Sequence, residues 1–193
     1  MRNRHIKKDS IVENTSKSLV VVTYFCCGKT TLAKKEIEGG KSIIDFDSFL
    51  IESIKDTGNI DPEARKRIER FGSLPINNFY LSSLKDTIGK YDIILLSSKV
   101  QILEFLRKRK IPYVLVYPEN TKECIEEWCR RNKERGTDWL WKDNKDSWDS
   151  LLKLFASDKS AVKHITLKQN EFLSDKLSEL LSCLSFLKQE TNN

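Results

Sequence analysis

The stretch "SLVVVTYFCCGKTTLAKK", Ser18 to Lys35, constrains the fold of this chain more than any other. A short β-branched run leads directly into Gly-Lys-Thr-Thr and then into a helix-forming sequence. Such a run suits a parallel strand buried on both faces. A glycine, a lysine and a hydroxyl placed between strand and helix form the second half of a phosphate cradle. The cradle needs several backbone N–H groups converging on one point, with the positive end of a helix behind them. It also needs a lysine for the terminal phosphates and a hydroxyl for Mg²⁺. Gly28, Lys29 and Thr30 stand in those places, with Cys26, Cys27 and Thr31 completing the loop. The first half departs from the pattern, because Thr23 stands where a glycine normally permits the sharp turn out of the strand. Cysteine at 26 and 27 is compact enough to keep the backbone close to a phosphate. A metal clasp or vicinal disulfide there is disfavoured by strain.

Strands and helices alternate along the rest of the chain. "KSIIDFD", "YDIILLSS", "IPYVLVYP" and "KHITLK" read as four further strands. Between them lie helical patterns: "GKTTLAKKEIEGG" to the stop at Gly39 and Gly40, and "SFLIESIKDTG" to Gly58. "DPEARKRIERFG" carries Asp61 as N-cap, Pro62 at the first position and Gly72 as its stop. "LPINNFYLSSLKDTIG" and "KVQILEFLRKRK" follow, then a helix after Asn120, with Asn120 and Glu123 read as a capping box. A Trp-rich helical stretch and a closing helix, "NEFLSDKLSELLSCLSFLKQ", complete the series. Strands joined by helices imply right-handed crossovers and a parallel sheet covered on both faces. The expectation is an α/β three-layer sandwich with a five-stranded parallel sheet in one domain, residues 18–193, behind a frayed basic tail, 1–17.

Composition narrows the function classes. The chain has 193 residues and a net charge of +6, compatible with anionic ligands and with an ordinary soluble surface. No apolar run approaches the ~18 residues that span a bilayer, so no membrane role is expected. No apolar segment of a signal peptide follows the basic N-terminus. Five cysteines without regular spacing point to reduced thiols and a cytoplasmic setting. His5 and His164 lie far from any cysteine pair, which disfavours zinc. The basic "FLRKRK" fits the exposed face of an amphipathic helix better than a nucleic-acid contact. Trp128, Trp139, Trp141 and Trp148 read as packing residues before base-stacking ones.

Two further groups carry chemistry. Alternation along the second strand predicts that Asp45 and Asp47 project to one side, where a parallel strand's C-terminal end opens into the ligand crevice. Asp47 is also placed to cap the next helix. Arg131 and Arg135, four apart on one helical face, either face a cleft or form a solvated basic surface. Many phosphate-loop enzymes end a second apolar strand with an aspartate that holds the metal's water. Here "DIILLSS" ends in Ser97 and Ser98, leaving that duty to Asp45 or Asp47.

The order "VVVTYFCCGKTTL", "SIIDFDS", "LPINNFYLSSLKDTIGKYDIILLSS", "IPYVLVYP", continued through "EWCRRNKERG" and "WKDNKDSWDSLL", resembles a phage- and virus-associated group of small P-loop proteins. That group belongs to the nucleotide-kinase-like branch, with relatives among adenylate kinases and deoxynucleoside monophosphate kinases. The resemblance covers about Leu19 to Leu152. It departs at Phe25, where proline is common, and at Lys99, where histidine often follows the two serines. It implies a P-loop nucleoside/nucleotide kinase-like fold with a helical lid at about 121–150. It implies ATP, or another NTP, bound by Cys26, Cys27, Gly28, Lys29, Thr30 and Thr31, with Lys29 on the β- and γ-phosphates. Mg²⁺ falls to Thr30 and Asp47, the acceptor or a metal-bound water to Asp45 and Asp47, and the transferring phosphoryl group to lid arginines Arg131 and Arg135. The function implied is ATP- and Mg²⁺-dependent phosphoryl transfer to a nucleotide or nucleoside in the cytoplasm, the host's if viral. The alternative is a non-catalytic nucleotide-binding module, motivated by the altered loop head.

Overall fold

β1 (Leu19–Thr23) is the centre of the sheet because nothing in it tolerates water: all five residues are buried. It pairs in parallel with β3 (Ile93–Ser97) on one side and β4 (Tyr113–Pro118) on the other. β2 (Ile43–Asp45) joins the outer edge of β3, and β5 (Lys163–Leu167) the outer edge of β4. The sheet order is therefore β2-β3-β1-β4-β5, all parallel. The computed structural model describes residues 18–35, 40–57, 68, 75–137 and 146–190. The tail 1–17 with His5, the helix expected over Asp61 to Gly72, the stops at Gly39 and Gly58, and Trp139 and Trp141 lie outside the described residues.

The helices are α1 (Lys29–Ala33), α2 (Phe46–Thr57), α3 (Asn78–Thr87), α4 (Val100–Arg109), α5 (Lys122–Glu134), α6 (Trp148–Ala156) and α7 (Leu177–Glu190). A 3₁₀ turn, Leu173–Lys176, leads into α7. Moving from β1 outward to β2 and then back through β3 to β4 reverses the direction of travel across the sheet. Right-handed crossovers then place α1 on one face and the helices of the later crossovers on the other. α7 returns to lie on β1, and α6 packs on β4. The core is aliphatic along the strands and aromatic around Tyr24, Trp128, Trp148 and Phe155. Each fully buried aliphatic side chain contributes roughly 1.5–3 kcal/mol.

Helix starts follow local chemistry, with one correction. Asn77 caps α3 by accepting from the Tyr80 amide at 3.0 Å. For α5 the cap is Thr121, which accepts from the Cys124 amide, and not Asn120. The Asn120 side chain instead bridges to α6, accepting from Trp148 Nε1 at 2.8 Å and donating to Asp149 at 3.0 Å. Both residues are good caps in isolation, and a tertiary contact decides between them. All five cysteines are free thiols. Among the described residues, no helix is long and apolar enough to cross a membrane.

Candidate phosphate-binding site

Thr23 does not turn. It remains in β1, fully buried, with its hydroxyl donating to the Leu96 carbonyl at 3.4 Å. The Tyr24 amide still bonds Val116 at 2.9 Å, so strand pairing continues one residue further. The reversal falls instead on Cys26 and Gly28, both left-handed, with φ of 58° and 88°. A glycine at 23 is therefore not needed, since the strained conformation has moved to Cys26. The Phe25 ring lies against Tyr24, 4.2 Å between centroids, at the edge of the aromatic core. Gly28 is constrained twice, because a Cβ there would also sit 3.3 Å from Phe172 Cδ1. Gly28→Ala should cost about 1–2 kcal/mol, the usual penalty of a left-handed L-residue, read as a lower denaturant midpoint at unchanged slope.

Three successive loop carbonyls are drawn outward. Trp128 Nε1 donates to Phe25 O at 2.9 Å, Arg131 Nη1 to Cys26 O at 3.4 Å, and the Leu173 amide to Cys27 O at 2.8 Å. Turning carbonyls out turns amides in. Among the described residues, no protein acceptor takes the N–H groups of Cys26 through Thr31. Amides gathered by left-handed residues into one concavity make an anion nest. Lys29 opens α1, whose first turn holds no carboxylate. The Cys27 thiol is pushed up to about 12 by burial, against the pull of Lys29. Burial also raises Cys26, while Arg135, Lys29 and Arg131 beside it draw it down. The two cysteines are thus neutral, compact loop walls.

The Thr30 hydroxyl donates to Asp45 Oδ2 at 2.6 Å, and Ser48 donates to the same oxygen at 3.2 Å. Asp45 ends β2 and is 6% exposed, yet its Oδ1 is buried and, among the described residues, without a hydrogen-bond partner. Asp47 behaves differently. The strand stops at Asp45, so alternation no longer applies, and Asp47 lies in the first turn of α2. There it accepts from the Tyr80 hydroxyl at 3.0 Å. The expectation that both carboxylates share one side through strand alternation is corrected accordingly. Asp47 is not the N-cap either, since α2 already begins at Phe46. For Mg²⁺, the fit is good on the Thr30–Asp45 side, where a carboxylate oxygen is left over beside a hydroxyl. Among the described residues, no cluster of three or more His, Cys, Asp or Glu could hold a metal alone. Mg²⁺ takes one or two carboxylates plus phosphates and waters, and so does not require such a cluster.

The two arginines separate. Arg131 is 6% exposed, its guanidinium stacked between the Trp128 and Phe172 rings at 4.2 and 3.9 Å. It donates to Glu127 Oε1 at 2.7 Å and to Glu171 O at 2.9 Å, besides Cys26 O. An arginine so fixed braces the loop, and the expectation of a mobile lid residue is corrected for it. Arg135 follows the helix as its exposed C-cap, beside the Cys26 thiol. Sequence reasoning missed Glu171 to Leu173, which close the loop from the far side of β5. It also gave no role to Ser97, whose hydroxyl at the end of β3 is buried and, among the described residues, without a hydrogen-bond partner.

A scan against protein-family models gives no match, and neither does a search of curated proteins. Among solved structures, the crystal structure of a gluconokinase from Sinorhizobium meliloti 1021 aligns with 90% of this chain and 95% of its own. The TM-score is 0.50 at 15% identity. A likeness of that depth speaks for the fold. The chain has the α/β fold of P-loop kinases, a five-stranded parallel sheet flanked by helices.

Proposed function

We propose that this protein transfers the γ-phosphoryl group of ATP, with Mg²⁺, to a nucleotide or nucleoside. The observation that carries the reading is the loop from Phe25 to Thr31, where the carbonyls of Phe25, Cys26 and Cys27 are tied outward. Among the described residues, the amides of Cys26 to Thr31 have no protein acceptor and Lys29 forms no ion pair. Phosphoryl transfer needs positioning and neutralisation of oxygen charge more than covalent participation by the protein. In this reading the amides and Lys29 hold the β- and γ-phosphates. Thr30 and Asp45 would hold Mg²⁺, which draws charge from the phosphate oxygens when bound. Arg135, exposed beside the loop, closes on the transferring group as part of a lid region at about 121–150. Asp47, kept in place by Tyr80, faces the acceptor side as base or positioning group. The phage- and virus-associated branch and a cytoplasmic setting belong to the same reading. The threonine in place of the first loop glycine, which favoured a non-catalytic module, is accommodated once Cys26 carries the turn.

The test is transfer of label from γ-labelled ATP across a panel of nucleosides, nucleoside monophosphates and gluconate, with and without Mg²⁺. Transfer to a nucleoside or nucleotide supports the proposal, and Arg135→Ala should then lower kcat by about 10²-fold or more, as loss of an electrostatic donor does. Binding of ATP without transfer to any acceptor would favour the non-catalytic module. Transfer to gluconate alone would move the acceptor class to a sugar acid.

A further inference from the structure

All five strands run parallel, so every loop that enters a strand lies at one end of the sheet, opposite the phosphate loop. The two ends stand about 16 Å apart, the rise of a strand as long as β1. Ligands of open α/β sheets sit at the carboxyl ends, which leaves the amino end without an assigned role. That end is basic. Lys41 precedes β2, Lys90 precedes β3, Lys108, Arg109 and Lys110 close α4 before β4, and Lys159 precedes β5; all are exposed. Taken in sheet order they form one row across roughly 19 Å, the width of a five-stranded sheet. Among the described residues, none of them forms an ion pair. The carboxylates set between them are already engaged, Asp158 by Arg107 and Tyr113, and Asp92 by Lys188 and Ser42. The row carries as much charge as the whole chain's net +6, so the other residues sum to zero.

Aromatic rings accompany these cations. The Arg109 guanidinium stands 5.9 Å from the Phe105 ring centroid. Tyr91, next to Lys90, meets the exposed Phe49 ring at 6.2 Å. Cations for backbone phosphates beside rings for unpaired bases are what single strands bind. We propose that this end of the sheet binds single-stranded nucleic acid without regard to sequence. Lysines dominate the row, and an ammonium group neutralises a phosphate without reading a base edge. Alone, "FLRKRK" is the basic face of one helix; the parallel topology sets Lys41, Lys90 and Lys159 in line with its last three residues. The inference is independent of the nucleotide reading above, because it uses no residue of the phosphate loop and lies at the other end of the strands.

The experiment follows the fluorescence anisotropy of a labelled oligothymidylate of about 20 nucleotides, longer than one single-strand site, with the full-length protein across a salt series. Each phosphate engaged contributes about −0.7 to the slope of log affinity against log salt, so a slope of about −3 to −4 is expected. Lys90→Ala with Arg109→Ala should weaken binding by about tenfold or more at roughly 0.1 M salt and flatten the slope by about 1.4. Lys122→Ala with Lys133→Ala removes the same charge from α5, whose Arg131 reaches the phosphate loop, and should stay within about twofold of wild type. All four positions are exposed, and an unchanged unfolding midpoint shows that the variants fold. Absence of binding at about 50 mM salt overturns the proposal, as does equal affinity or equal loss in the two double variants. Tighter binding of a duplex of the same length overturns it too. Binding to phosphatidylserine vesicles in place of the oligonucleotide would do the same, and would make the row a membrane contact.

Discussion

Lys29→Ala should leave the protein folded and lower its affinity for ATP by about 100-fold. A hydrogen bond from a charged donor is worth roughly 1.5–3 kcal/mol, and each 1.4 kcal/mol is a factor of ten. Stability should move the other way or not at all. A cation in the first turn of a helix faces the positive end of the macrodipole, at a cost of about 0.3–1 kcal/mol. No carboxylate in that turn offsets it. Lys29 is half-buried and, among the described residues, forms no ion pair that its loss would break. A side chain that weakens its own helix and, among the described residues, serves no partner accords with the proposal that it meets an anion outside the chain. The measurement is the shift of the unfolding midpoint on adding ATP. Wild type should show a concentration-dependent rise, and the variant should show none at the same ATP while its own midpoint stays level or increases. A variant that keeps the full ATP-induced shift would remove the loop from the nucleotide site.

The strands were legible because burial on both faces leaves a local record. Leu19 to Thr23, Ile93 to Leu96 and Tyr113 to Pro118 are β-branched, aromatic or apolar throughout, and each forms where the run predicts. The loop was legible at Gly28, Lys29 and Thr30 but not at its head. Which residue takes a left-handed conformation depends on the donors that seize the neighbouring carbonyls. Those donors, Trp128, Arg131 and Leu173, stand more than a hundred residues further on. The expectation of a mobile Arg131 failed for the same reason. Helical spacing gives Arg131 and Arg135 one face, yet only tertiary structure reveals Phe172 and Glu171 enclosing the first. Asp45 and Asp47 divide because the strand ends between them, and strand ends are decided by pairing with a neighbour. Ser97 was passed over because a serine stands where an aspartate was looked for, and a hydroxyl at a strand end is commonplace until its burial is known.

Arg131→Ala should destabilise the fold by roughly 3 kcal/mol, the low end of the range for removing one partner of a buried ion pair. Glu127 is buried with its partner, at 4% and 5% side-chain exposure. Arg130, which also donates to Glu127, is half-exposed and softens the loss without filling the space. The truncation also removes the guanidinium from between Trp128 and Phe172 and releases the Cys26 and Glu171 carbonyls. Arg131→Lys should recover only part of this, because an ammonium keeps the charge but neither stacks nor forks. Arg135→Ala, by contrast, should stay within about 0.5 kcal/mol of wild type, as surface substitutions do. The pH dependence separates the ion pair from the packing. Hydrogen bonds from Arg130, then Arg131, hold the Glu127 carboxyl below its usual range despite burial. A depressed carboxylate stabilises the fold fully above its unfolded pKa, about 4.3, and that contribution fades as pH falls through the folded value. Arg131→Ala has already lost part of it. The stability gap between wild type and variant, measured by denaturant titration, should therefore be widest above about pH 5 and narrow below about pH 4. A gap that persists undiminished into acid would mean that stacking, not the charge on Glu127, is what Arg131 contributes to the loop.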